Sequence, residues 1–121
     1  MFFDRLFVFV GGLYGAAGVA LMAVAAHAGG ANTQTAATFG LMHAPALLAL
    51  GLRGAPRGDW LLRLGGLAIL IGVGLFSGDL LMREFTGEKL FPMAAPSGGA
   101  TTIGGWLLVA IGAIWRRNDE G

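Results

Sequence analysis

At 121 residues, with 55% hydrophobic and only 12% charged side chains and a mean hydropathy of +0.71, the chain has about half the charged cover of a soluble domain. A single small core has no room for that much apolar surface, so the bilayer is the natural solvent. The net charge of +1, with no basic patch, argues against nucleic acid as a partner, and the absence of cysteine removes disulfides, thiolate chemistry and zinc ribbons.

The first apolar run covers residues 6–28. Its 21-residue stretch 6–26 has no charge, which is too long for the core of a signal peptide and long enough to span, although the alanines of 23–28 imitate a cleavage site. Residues 29–35 (GGANTQT) read as a polar loop, with Thr35 as N-cap of a second helix over 36–52. Residues 53–59 (RGAPRGD) form a tight basic turn, and Asp59 is placed to cap a third helix over 60–82. The longest connection is 84–99 (EFTGEKLFPMAAPSGG), where Pro92, Pro96, Gly98 and Gly99 are expected to break any helix and Leu90–Phe91 to lie in the interface. The fourth run is 100–115, with an entry as early as Met93 left open. At 1.5 Å per residue the second and fourth runs reach only about 24–26 Å, slightly under the hydrocarbon thickness. With no repeat and no soluble domain, residues 1–121 are expected to form one all-α transmembrane four-helix bundle in contact with the lipid bilayer.

Lysine and arginine set the orientation. Arg5, Arg53, Arg57, Arg63, Arg116 and Arg117 fall on one side, Arg83 and Lys89 on the other, which predicts cytoplasmic N and C termini in a multi-pass membrane protein. Trp60 and Trp115 suit interfacial anchoring, whereas Trp106 lies too far into its run.

With that topology the notable polar side chains, His27, His43, Asp79, Arg83, Thr101 and Thr102, all fall in the non-cytoplasmic half. The other half is nearly pure apolar sequence. Helical phase puts Gly12, Ala16, Ala20, Ala23 and His27 on one stripe. A second stripe holds Ala36, Gly40, His43 and Leu47, and a third Gly65, Ala68, Gly72, Asp79 and Arg83. Stripes of small residues are where membrane helices touch, so the ionisable groups are expected to point inward and share a polar pocket, with Gly11, Gly12, Gly15, Gly74, Gly78, Gly104 and Gly105 packing the helices. Asp79 and Arg83 either satisfy each other as an i, i+4 pair, or Asp79 reaches a histidine or a ligand. His43 is read as bonding a backbone carbonyl, including that of Leu41 freed by Pro45, against a proton relay or axial haem ligation. His27 suits the helix C-terminus. No catalytic triad, paired carboxylates or metal cluster is apparent, so no enzyme activity, metal or cofactor is assigned.

The ordered segments GGLYGAAGVALMAVAAHA, FGLMHAPALLALGL, GVGLFSGDLL and APSGGATTIGGWLLVAIGAI resemble those of the DUF423 family, small bacterial membrane proteins with mitochondrial and animal relatives. The matching features are Gly11–Gly18 with His27, His43-Ala44, Phe76-Ser77-Gly78, and Pro96 leading to Gly104-Gly105-Trp106. The resemblance covers nearly the whole chain and implies a four-helix bundle in a bacterial inner membrane without an established activity. Three details depart from the family pattern: Ala28 follows His27, Leu41-Met42 precede His43, and Asp79 follows Ser77-Gly78. Small multidrug transporters need an acidic residue within the first helix. Fluoride channels need an arginine soon after it and a phenylalanine–threonine track in the third. The chain has neither pattern. The expected role is an accessory or structural subunit in a larger membrane complex or a homo-oligomer. The alternatives are a small transporter or ligand-binding protein with His27, His43, Asp79 and Arg83 lining an outward pocket, and a haem carrier.

Overall fold

The computed structural model describes residues 2–53 and 59–120, of which 116–120 by backbone alone. Four helices follow one another: α1 (Phe2–Ala28), α2 (Ala31–Leu52), α3 (Trp60–Thr86) and α4 (Ala94–Glu120), with no strand among the described residues. Each is long and apolar enough to cross a membrane, and a helix satisfies its own backbone groups where no water can. The chain runs up and down, so the α1–α2 and α3–α4 connections share one end of the bundle, hereafter the upper end.

The helices form two antiparallel hairpins, α1–α2 and α3–α4, joined along α2 and α3, while α1 only grazes α3. Missing side chains set how closely each hairpin closes. A Cβ on Gly65 would stand 2.8 Å from the Gly105 carbonyl oxygen, and one on Gly105 equally near that of Gly65. These two backbones touch through glycine alone. Where the hairpins join, Phe7, Leu47, Leu50, Leu62, Ile69 and Val73 make the core, the Phe7 ring lying against Gly66.

Several sequence expectations are corrected here. The polar loop 29–35 shrinks to two glycines, Gly29 (φ +79°) and Gly30 (φ +103°), whose left-handed backbone reverses the chain at once. Thr35 therefore lies inside α2 and caps nothing. Instead Glu84 of α3 accepts a hydrogen bond from the Asn32 amide at 3.2 Å, so the carboxylate at the α2 N-terminus arrives from another helix. Likewise, Pro96, Gly98 and Gly99 do not break a helix. Pro96 sits in the first turn of α4, where no amide partner is needed, and Gly98 is buried against Phe76 and Gly72 of α3. With 22 and 27 residues, α2 and α4 span about 33 and 40 Å and are not short. Asp59 holds the N-cap position of α3 but makes no side-chain cap, its carboxylate being taken by Arg53. Residues 54–58 of the expected basic turn lie outside the described residues.

The glycine expectations divide. Gly11 and Gly105 pack against neighbouring backbone, and Gly15 meets Ala44 at an ordinary 3.7 Å. Gly74 approaches only the Tyr14 hydroxyl, and Gly78 only Leu90, at 4.0 Å. Gly12 and Gly104 face open space. Gly18, Gly51, Gly65, Gly72 and Gly98 carry close contacts in their place.

Candidate functional site

Helix phase brings His43 inside: the face Ala36, Gly40, His43 and Leu47 is buried throughout. His43 lies twelve residues below the start of α2, about 18 Å, near the middle of that helix. Its Nδ1 turns back to its own helix, bonding the Phe39 carbonyl at 2.7 Å. On the other side of the ring, Trp106 Nε1 donates to His43 Nε2 at 3.1 Å. Indole is a donor only, so Nε2 is the acceptor and the proton sits on Nδ1, donated to Phe39. Both ring nitrogens are thereby satisfied in a membrane interior where an unsatisfied one is costly. The carbonyl used is that of Phe39, four residues back, rather than Leu41. Trp106 was expected to have no interfacial role; its function is to reach from α4 to α2 across a gap that the two backbones leave open.

Asp79 is fully buried and has separate partners. Arg83 Nε donates to Oδ2 at 2.8 Å, as the i, i+4 spacing predicts, while Oδ1 accepts the backbone amide of Leu90 at 2.7 Å. The carboxylate thus ties the α3–α4 connection down onto α3. Phe39 and Phe76 stack with centroids 4.3 Å apart, which puts α2 and α3 in register. Asp79 is one turn above Phe76 and His43 one turn below Phe39, so they stand about 10 Å apart along the axis.

The remaining predicted residues bond within their own helices. His27 is exposed, its Nδ1 2.8 Å from the Ala23 carbonyl oxygen. Thr101 donates to Ser97 O at 2.7 Å, and buried Thr102 to Gly98 O at 2.8 Å, where it packs on Gly72. His27, His43, Asp79 and Arg83 therefore do not converge on one pocket. The stripe Gly12, Ala16, Ala20, Ala23 and His27 faces outward, because α1 docks through Phe7, Gly11 and Gly18 instead.

A cavity of about 220 Å³ lies elsewhere, between α1, α2 and α3, walled by Ala17, Gly18, Gly40, Gly74 and Gly78. Tyr14 marks its lower end, its hydroxyl donating to the Leu70 carbonyl and so bridging α1 to α3. Ser77 donates to Ala36 O at 3.3 Å on its wall. A second space of about 230 Å³ sits above it, beside the Gly29–Gly30 turn, with Thr33 and Glu84. Sequence reasoning missed Tyr14, Trp106, Thr33 and Glu84. For the first two a signal existed, since a phenol or an indole deep in an apolar run must find a hydrogen-bond partner.

Among the described residues no group of three or more histidines and carboxylates comes together to hold a metal, and no serine or histidine is paired as a nucleophile with its base. What the arrangement does chemically is satisfy polar groups at depth and leave a crevice between α1 and α3. No curated protein and no solved structure matches the chain. Residues 12–99 match the family described as a protein of unknown function (DUF423). With well over half its length matched and four apolar helices in place, the chain belongs to the DUF423 family of small membrane proteins.

Proposed function

We propose that this protein acts by packing rather than by catalysis, as an accessory or structural subunit whose α1 docks on another transmembrane helix, either a second copy's or that of a larger membrane complex. One observation carries the reading: Gly12, Ala16, Ala20 and Ala23 form an exposed line on α1, and a Cβ added to Gly12 would touch nothing. Lipid tails solvate large apolar side chains as well as protein does, so a line of small residues gains most when a second backbone comes close. The internal satisfaction of His43 and Asp79 supports the same view, since neither is left poised for reaction. The arginine distribution favours cytoplasmic termini, and the membrane we assign is a bacterial inner membrane.

The test is extraction from native membranes in mild detergent, followed by sizing and identification of co-purifying chains. Wild type is expected above monomer mass and the triple variant Gly12→Leu, Ala16→Leu, Ala20→Leu as a folded monomer. A lone monomer for wild type would remove the proposal.

A further inference from the structure

The two spaces between α1, α2 and α3 stack on one another. Leu21, Ala36 and Leu81 wall the lower one; Val24, Thr33 and Glu84, one turn further up the same three helices, wall the upper. Together they follow α1 from Tyr14 to Val24 and beyond, about 15 Å. Ala17 and Gly74 on the rim are exposed, so the lower part opens sideways between α1 and α3 into the acyl region.

The upper part is polar in a particular way. Thr33 is 1% exposed, and its Oγ1 has no hydrogen-bond partner although it borders the space. A buried hydroxyl left unpaired is destabilising, and a ligand that pairs with it would relieve that. Beside it stands Glu84, the only ionisable side chain among the described residues lining this mouth. Its Oε1 is held by the Asn32 amide, leaving Oε2 for an incoming donor. The anion site at the α2 N-terminus is thus already filled from within the chain, and an anionic head group would meet a carboxylate. A Cβ on Gly30 would lie 2.7 Å from Glu84 Oε1, so the turn must stay bare for the carboxylate to sit there.

We propose that this crevice is a lipid site selective for an ethanolamine head: one acyl chain lies between α1 and α3 above Tyr14, and the ammonium donates to Glu84 and Thr33. The site is independent of α1's role in association, because its walls are Ala17, Leu21 and Val24 rather than the Gly12–Ala23 line.

Native mass spectrometry of the intact protein, titrated with lysophosphatidylethanolamine and with lysophosphatidylglycerol of the same chain length, tests the proposal. The expected result is at least a five-fold preference for the ethanolamine lipid. Glu84→Gln, which keeps the acceptor for Asn32, should erase the preference, and Ala17→Phe should weaken both lipids by filling the chain slot. Thr33→Val should raise the thermal stability of the delipidated protein while weakening the ethanolamine lipid about three-fold. Equal affinity of wild type for the two heads, or an unchanged preference in Glu84→Gln or unchanged affinity in Thr33→Val, would overturn it.

Discussion

At the level of single residues, the polar groups of this bundle behave as cross-links. His43 and Trp106 join α2 to α4, Tyr14 joins α1 to α3, and Asp79 fastens the connection at Leu90. Hydrogen bonds between membrane helices are worth about 0.6 kcal/mol on average and at most about 1.7. A double-mutant cycle over His43→Phe and Trp106→Phe, read by unfolding in mixed micelles, should therefore give a coupling of about 1 kcal/mol; strict additivity would mean that the ring nitrogens do not bond. Asp79→Asn keeps an acceptor for the Leu90 amide but releases Arg83, so the expected effect is lower stability and faster proteolysis around residues 87–93. A connection as resistant as in wild type would show that Asp79 does not hold it.

At the level of helices, glycine position decides what packs. Gly105 and Gly104 are sequence neighbours with opposite roles: one lies on the Gly65 backbone, the other on nothing. Leucine at Gly105 should cost about 1–3 kcal/mol or more, since backbone has no room to yield. Leucine at Gly104 should stay within about 0.5 kcal/mol. Equal losses in the same unfolding assay would contradict the α3–α4 packing. The early start of α4 has its own check. Ser97 N bonds Met93 O at 2.9 Å, so its amide and those that follow should exchange slowly, whereas a loop up to Gly99 would exchange at once. The apolar runs themselves were legible in the sequence, because hydropathy and length suffice to find a span. The helix start at Ala31 was not, because it depends on a carboxylate from α3. The start at Ala94 was legible only as the open alternative of an entry from Met93, because it depends on the tolerance of a first turn for proline. Helical phase placed the faces of α2 and α3 inward, as the buried His43 and Asp79 show. It had no means of knowing that α1 packs closely on α2 alone and only grazes α3, which is why the Gly12–His27 stripe ended outside.

At the level of the whole molecule, two hairpins joined along α2 and α3 leave the outer side of α1 and the crevice beside α3 uncovered. In a soluble protein such surfaces would be liabilities; in a bilayer they are invitations to a helix and to a lipid chain. The absence of cysteine makes the first of these open to a clean measurement. Single cysteines at Ala16 or Ala20 on α1, or at exposed Ile71 on α3 as the lipid-facing reference, are cross-linked in native membranes and the products identified. Docking through α1 predicts strong products from Ala16→Cys and Ala20→Cys and little from Ile71→Cys. Products no more abundant at Ala16 and Ala20 than at Ile71 would contradict it.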